Sequence, residues 1–208
     1  MDKNYWETFY LKQNAELKPS LFARYVADLL LAPKEIVELG CGNGRDALFF
    51  ANLGHSVTAI DQCESEIKFL STRYQQLKNI YFMHADFTKM DNRRPFDLLY
   101  SRFTLHSISA QQEKDVCIWA FNNLNVNGYF CIEARGQKNE IFRKGQPVQN
   151  EPDAFIYDQH YRRFLNFDAF CHELKQIGFK IHYAAEEKGF APFNGENETY
   201  IRVVAQRK

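Results

Sequence analysis

The stretch VELGCGNGRD, residues 37–46, places a glycine at every second position directly after a run of apolar residues. Glycines weaken a strand because they offer no side chain to pack, and they also destabilise a helix. Gly40, Gly42 and Gly44 therefore predict a tight turn after a strand, where the backbone closely approaches a ligand.

The composition is that of an ordinary globular protein. The chain has 208 residues, of which 45% are hydrophobic and 25% charged, and this length suits one domain. Lysine plus arginine balances aspartate plus glutamate at 26 each, whereas general nucleic-acid binders carry a basic excess. We therefore expect no nucleic-acid partner.

The cysteines, the histidines and the N-terminus indicate a cytoplasmic protein without a metal site. The five cysteines are scattered and form no CxxC pair, which favours reduced thiols. The six histidines show no spacing typical of metal ligands. The first ten residues, MDKNYWETFY, lack the order of a signal peptide, and no apolar run is long enough to cross a bilayer.

Strand and helix patterns alternate along the chain, which predicts an α/β protein with a mostly parallel sheet. The predicted strands are Glu35–Leu39, Ser56–Ile60, Ile80–His84, Phe96–Tyr100, Tyr129–Ala134, Lys180–Ala184 and Thr199–Ala205. The predicted helices occupy Pro19–Leu31, Asp46–Asn52, Ile67–Leu77, Gln111–Leu124 and Phe167–Ile177. The last two strands have no helix between them, so we expect a hairpin.

The same pattern predicts a single domain over residues 1–208. Residues 1–34 are expected to form an N-terminal helical cover, and residues 135–165 a lid or insertion. An aromatic cluster near the N-terminus, Tyr5, Trp6, Phe9 and Tyr10, either folds over the ligand or packs against the sheet edge.

Acidic residues end the second and third predicted strands. Asp61 follows Gly44 by 17 residues and is placed to accept hydrogen bonds from ribose hydroxyls. Asp86 could accept a hydrogen bond from an adenine amino group. Dinucleotide-binding turns follow G-x-G-x-x-G, but here Arg45 takes the place of the third glycine. The sequence therefore favours a ligand with a single nucleoside over a dinucleotide. A nicotinamide-dependent oxidoreductase is the less favoured alternative.

From Glu35 to Arg135 the sequence resembles the class I S-adenosylmethionine-dependent methyltransferases. ELGCGNG, AID, HADF and FDLLYSRFTLH appear in the order of that family. The glycine turn is similar to the small-molecule branch that includes tellurite-resistance methyltransferases. IEARG, DQHYRRF and GFAPF are similar to methyltransferases of surface-polysaccharide synthesis. The resemblance implies a Rossmann-like, doubly wound seven-stranded sheet of order 3-2-1-4-5-7-6, with the last strand antiparallel and helices on both faces.

The resemblance also implies S-adenosylmethionine as cofactor and assigns residues to it. Glu38 would hold the methionine end, and the turn containing Gly40, Cys41, Gly42 and Gly44 would face methionine and ribose. Asp61 and Gln62 would bind the ribose, and Asp86 and Phe87 would flank the adenine. Ser101 and Arg102 would lie near the transferred methyl group.

His106 is the predicted general base, because it follows the fourth strand and its unperturbed pKa is about 6.5; His160 is a weaker candidate. Arg102 is predicted to take part in catalysis. The expected substrate-binding residues are Arg135, Tyr157, Tyr161, Arg162 and Arg163. Guanidinium groups match phosphate or carboxylate, so the expected substrate is a small anionic metabolite or sugar.

The segment after the fourth strand is SRFT rather than the NPPY type of amino-group methyltransferases, which favours oxygen as the methyl acceptor. An aminopropyltransferase on the same fold and a regulatory cofactor-binding module remain alternatives. The sequence leaves open whether the protein is a monomer or a homodimer.

Overall fold

The computed structural model describes residues 18–91 and 95–208. Seven strands form the main sheet: β1 Glu35–Leu39, β2 Ser56–Asp61, β3 Ile80–His84, β4 Phe96–Arg102, β5 Leu124–Ala134, β9 Phe179–Glu187 and β10 Tyr200–Arg207. Their order is β3-β2-β1-β4-β5-β10-β9. β10 runs antiparallel to both of its neighbours, whereas the other pairings are parallel. The predicted fold class, strand order and closing hairpin are thus confirmed.

Helices cover both faces of the sheet. They are α1 Leu21–Ala27, α2 Arg45–Asn52, α3 Glu64–Arg73, α4 Ala110–Asn123 and α5 Phe167–Ile177. One apolar cluster packs α4 and α5 against one face of the sheet, and a second packs α1, α2 and α3 against the other. Within residues 18–91 and 95–208, none of these helices has both the length and the apolar character needed to span a membrane.

The first described helix is shorter than predicted. Ser20 caps α1 by accepting a hydrogen bond from the backbone N–H of Ala23, and the helix ends at Ala27 instead of Leu31. Leu31 is 97% exposed, so continuing the helix to it would bury little apolar surface. The cluster predicted between Tyr5 and Tyr10 lies outside the described residues.

The fifth strand begins earlier than predicted. The predicted strand Tyr129–Ala134 excluded Asn127 and Gly128, but both residues lie inside β5, where the register with β4 shifts. Asn127 has a φ of 66°, which is left-handed backbone typical of an irregular strand position. A Cβ on Gly128 would lie 2.8 Å from the carbonyl oxygen of Asn125, so this position requires glycine.

A small three-stranded antiparallel sheet occupies part of the predicted insertion. It consists of β6 Gln146–Val148, β7 Glu151–Tyr157 and β8 His160–Arg163, in the order β6-β7-β8. β8 packs against a 3-10 turn, Leu105–Ser107, that follows β4. The small sheet therefore supports the loop at the carboxyl end of β4.

Candidate active site

A cavity of about 540 Å³ opens at the carboxyl ends of β1, β2 and β4, where ligands bind in open α/β sheets. Among the predicted site residues, its lining contains Glu38, Gly40, Cys41, Gly42, Asp61, Arg102 and Arg135. The rest of its lining is Pro19, Ser20, Leu21, Asn43, Arg45, Asp46, Phe103, Thr104, Ser107, Ala191, Pro192, Phe193, Glu196, Glu198 and Tyr200.

The predicted glycine turn forms one wall of this cavity. Gly40 has a φ of 66°, and a Cβ built on it would lie only 2.4 Å from Cγ2 of Thr104. Gly44 has a different role, because a Cβ there would meet Leu70 and Phe82 in the core. Gly44 is absent from the cavity lining, so its small size serves packing between α2, α3 and β3.

We expect Gly40→Ala to destabilise the protein by about 2–4 kcal/mol, because it adds a steric clash to a left-handed backbone. Thr104→Ser removes the clashing methyl group but keeps the hydroxyl that bonds to Ser101. The double variant should therefore recover part of the loss in urea unfolding. No recovery would show that the contact with Thr104 is not the cause.

Asp61 connects the end of β2 to the glycine turn. Its Oδ2 accepts a hydrogen bond from the Gly42 N–H and its Oδ1 one from the Cys63 N–H, both at 2.9 Å. Burial raises the pKa of Asp61, and these two hydrogen bonds oppose the shift. A carboxylate oxygen can accept more than one hydrogen bond, so Asp61 keeps capacity for two hydroxyl groups of a ribose.

Glu38 presents a buried carboxylate to the cavity. Its Oε2 has no hydrogen-bond partner among the described residues. Burial, followed by the charge of nearby Asp46, raises the pKa of Glu38 well above its usual value. An oxygen without a partner fits the ammonium group of a methionine moiety. Arg45, which also lines the cavity, could donate hydrogen bonds to the carboxylate of the same moiety.

Asp46 is a site residue that the sequence analysis did not identify. Its carboxylate accepts hydrogen bonds from the Ser20 N–H at 2.8 Å, the Ser20 hydroxyl at 2.7 Å and the Tyr100 hydroxyl at 2.9 Å. Asp46 thus ties the start of α1 to the glycine turn. In the sequence Asp46 is recognisable only as the first residue of a predicted helix. Its hydrogen-bond partners lie 26 and 54 residues away, so no local pattern reveals them.

Besides Gly44, four predicted cofactor residues lie outside the cavity lining: Gln62, Asp86, Phe87 and Ser101. Asp86 caps a short 3-10 turn and is partly exposed beyond β3. The ring of Phe87 is buried in the core, so only its backbone can meet an adenine. Ser101 is fully buried, and its hydroxyl lies 2.5 Å from that of Thr104.

Arg102 belongs to a buried ionic triad. Its Nε donates to Oε1 of Glu133 at 2.9 Å, while Arg202 donates to Oε2 of the same carboxylate at 2.6 Å. Two guanidinium groups thus share one carboxylate, which leaves a formal charge of plus one. The Nη atoms of Arg102 make no hydrogen bond within residues 18–91 and 95–208, and the side chain lines the cavity.

Arg135 donates to two side-chain acceptors through Nη1, whereas Arg102 donates only through Nε to Glu133 among the described residues. The Nη1 of Arg135 donates to Glu198 at 2.6 Å and to Asn139 at 2.8 Å, and Tyr200 donates to the same Glu198 oxygen. Burial would raise the pKa of Glu198, but the hydrogen bond from Tyr200 and the charge of Arg135 lower it. Glu198 therefore stays ionised and largely neutralises Arg135.

The geometry of His106 argues against its predicted role as general base. Its Nδ1 accepts a hydrogen bond from the backbone N–H of Arg135 at 3.1 Å, which places the proton of the neutral ring on Nε2. Burial and the neighbouring groups Arg135, His160, Arg162 and Arg163 lower its pKa well below the usual value. His106 is also absent from the cavity lining, and it supports the backbone at the end of β5.

We expect His106→Gln to reduce the loss of stability in acid. Below about pH 6.5 the unfolded chain protonates His106 but the folded chain does not, so the free energy of unfolding falls as pH falls. At pH 5.5 this loss should be about 1 kcal/mol larger in wild type than in the variant. Urea unfolding at pH 7.5 and 5.5 measures it, with exposed His172→Gln as control. Equal losses in wild type and His106→Gln would contradict the expectation.

The structure does not bring the other predicted substrate residues into the cavity. Arg163 forms a buried ion pair with Glu113 and donates to the carbonyl oxygens of Ile108 and Leu105. Arg162 donates to the Tyr157 carbonyl oxygen, Tyr161 donates to Glu151, and His160 is buried in β8. These residues hold the small sheet and the loop after β4, and of the predicted arginines only Arg102 and Arg135 line the cavity.

The comparisons with known proteins agree with this geometry. The family profile described as a methyltransferase domain matches residues 36–128. The probable S-adenosyl-L-methionine-dependent methyltransferase TehB of Haemophilus influenzae is 26% identical over 113 residues, which are 54% of this chain and 40% of TehB. Phosphoethanolamine N-methyltransferase 3 of Arabidopsis thaliana is 28% identical over 74% of this chain and 35% of its own length. The chain thus spans well under half the length of these relatives.

Solved structures of methyltransferases share the fold. An S-adenosylmethionine-dependent methyltransferase of Methanosarcina mazei is 18% identical with a TM-score of 0.75, covering 88% of this chain and 96% of its own. TehB of Haemophilus influenzae is 19% identical with a TM-score of 0.69, covering 99% of this chain and 67% of its own. Residues 36–128 thus match a methyltransferase-domain profile, and the predicted resemblance to the class I S-adenosylmethionine-dependent methyltransferases is confirmed.

Proposed function

We propose that this protein is an S-adenosylmethionine-dependent methyltransferase whose acceptor is an oxygen of a small anionic metabolite or sugar. The unpartnered buried oxygen of Glu38 carries the cofactor part of the proposal, since it faces a cavity that also contains Asp61 and the glycine turn. Glu38 suits an ammonium group, Asp61 suits a ribose, and the glycine turn allows a ligand to approach the backbone closely. The resemblance to methyltransferases supports the same cofactor.

Arg102 supports an anionic acceptor. Its side chain lines the cavity as part of a triad with a net positive charge. Its Nη atoms make no hydrogen bond with the described residues, so they can donate to a phosphate or carboxylate. Arg135 extends the same wall, although Glu198 already neutralises it. A guanidinium next to an acceptor also favours the ionised form of that acceptor, because opposite charges stabilise each other.

An ionised oxygen needs no proton acceptor, which is consistent with the occupied Nδ1 of His106. When bound, the sulfonium cofactor supplies an activated methyl group: the carbon–sulfur bond breaks, its electron pair stays on sulfur, and a carbon–oxygen bond forms. The residues of this chain then have to align the two reactants, and alignment is worth about 7–11 kcal/mol in favourable cases. Arg102 would hold the acceptor, and Glu38 and Asp61 the cofactor.

The test is titration of the purified protein with S-adenosylhomocysteine and, separately, with NAD, followed by mass spectrometry of methylated products. The acceptor panel should contain phosphorylated sugars and small carboxylic acids, with phosphoethanolamine as an amine for comparison. Binding of S-adenosylhomocysteine and O-methylation of an anionic compound would support the proposal. Binding of NAD alone, or methylation of nitrogen, would contradict it.

A further inference from the structure

Phe103, the residue directly after Arg102, has an unusual backbone conformation, stacks against the guanidinium of Arg102 and contacts the ring of Tyr200, over which Arg135 lies. We propose that Phe103 is a positioning residue that holds the guanidinium of Arg102 toward the acceptor and thereby determines selectivity for anions. This inference rests on the proposed function, because it concerns how the same cavity selects its acceptor.

The backbone of Phe103 is left-handed, with a φ of 61°. A bulky residue rarely adopts this conformation, and such strain persists where the surrounding structure imposes it and often marks functional sites. Here the Phe103 N–H donates to the Glu133 carbonyl oxygen at 2.8 Å, which anchors the strained residue to β5. The conformation places the ring in the cavity wall next to Arg102.

The ring of Phe103 contacts Arg102 directly and is linked to Arg135 through the ring of Tyr200. The Cζ atom of Arg102 is 4.0 Å from its centroid, which is a close cation–π contact. The Tyr200 ring lies 4.8 Å away at 30°, and Cζ of Arg135 is 5.1 Å from the Tyr200 centroid. Glu198 fixes Tyr200 and Arg135 together, so the far end of this stack is immobilised by hydrogen bonds.

The contact with Phe103 decides how Arg102 can use its donors. Of the Arg102 donors, Nε bonds to Oε1 of Glu133. The other oxygen, Oε2, accepts two hydrogen bonds from Arg202. Guanidinium and carboxylate prefer two parallel hydrogen bonds, so an unrestrained Arg102 would turn an Nη atom toward Glu133. The aromatic face opposes that rotation by attracting the guanidinium, and the Nη atoms stay available to an anion in the cavity.

The experiment is isothermal titration of the protein saturated with S-adenosylhomocysteine, using inorganic phosphate as the anionic probe. Phe103→Leu keeps apolar bulk but removes the π face, and we expect about tenfold weaker phosphate binding. Phe103→Tyr keeps the face, so its affinity should stay within about twofold of wild type. Arg102→Gln should remove most binding, and the double variant Arg102→Gln/Phe103→Leu should bind no worse than Arg102→Gln alone.

Three results would overturn the inference. They are wild-type affinity in Phe103→Leu, a further loss when Phe103→Leu is added to Arg102→Gln, and no phosphate binding by the loaded wild type. The affinity for S-adenosylhomocysteine should be equal in all variants, and a parallel loss in Phe103→Leu would show general collapse of the cavity instead. If the wild type does not bind S-adenosylhomocysteine at all, the proposed function itself fails.

Discussion

Asp61→Ala is expected to weaken S-adenosylhomocysteine binding by about 10²- to 10⁴-fold, because hydrogen bonds to a charged group contribute about 1.5–3 kcal/mol each. Two ribose hydroxyls would lose their acceptor. The variant also frees the Gly42 and Cys63 N–H groups that Asp61 now holds at 2.9 Å, so the glycine turn loses an anchor. Isothermal titration measures the affinity, and a thermal melt checks that the variant is folded.

Two variants separate the contribution of the charge from that of the turn. Asp61→Asn keeps the size of the side chain but places an NH₂ group opposite one of the two backbone N–H donors. We therefore expect a loss of S-adenosylhomocysteine affinity smaller than that of Asp61→Ala. Asp86→Ala removes a carboxylate that is 39% exposed and caps a 3-10 turn, so its effect should be about tenfold or less. Undiminished affinity in the combined variant Asp61→Ala/Asp86→Ala would contradict the assigned site.

Arg163→Ala is expected to lower the free energy of unfolding by about 3–5 kcal/mol, because it leaves the Glu113 carboxylate buried without its partner. Arg163 also donates from Nε to the Ile108 carbonyl oxygen at 3.1 Å and from Nη2 to that of Leu105 at 3.4 Å. These bonds hold the loop that carries Thr104 and Ser107 into the cavity. Urea unfolding measures the loss.

The double variant Glu113→Leu/Arg163→Met serves as the matched control. It removes both charges while keeping apolar volume, so most of the stability lost in Arg163→Ala should return. The neighbouring variant Arg162→Ala should cost about 0.5–1.5 kcal/mol, since Arg162 donates to the Tyr157 carbonyl oxygen but does not pair with Glu113. A loss in Arg163→Ala no larger than in Arg162→Ala would show that the buried pair is not important for stability.

The local part of the site could be predicted from the sequence because it is encoded in adjacent residues. The glycine turn and Asp61 follow β1 and β2, and the carboxyl ends of parallel neighbours meet at one edge of the sheet. Glu38 precedes the turn, so the same argument places it there. Arg102 ends β4 and Arg135 directly follows β5; these strands are also parallel neighbours, and both residues line the cavity as expected.

The prediction was less accurate where a side chain's partners are distant in sequence. The arginine pair in β8 looks like an anion site in the chain, yet Arg163 is bound to Glu113, 50 residues away. His106 has the residue type of a base, but the backbone of Arg135 occupies its acceptor nitrogen. The sequence shows which donors and acceptors a side chain has, but it does not show which other groups in the folded protein are already bonded to them.

The sequence by itself determined the α/β class, the glycine turn and the acids after its strands, because hydrophobic periodicity and glycine spacing act over a few residues. The strand order came from the resemblance to the methyltransferases. Only the tertiary structure decided which charges remain available to a ligand. Most buried donors and acceptors find a partner, and those partners often come from elements far apart in the chain. Within residues 18–91 and 95–208, Glu38 and Arg102 line the cavity and each has a side-chain atom without a hydrogen-bond partner, whereas His106 and Arg163 do not contribute to that lining.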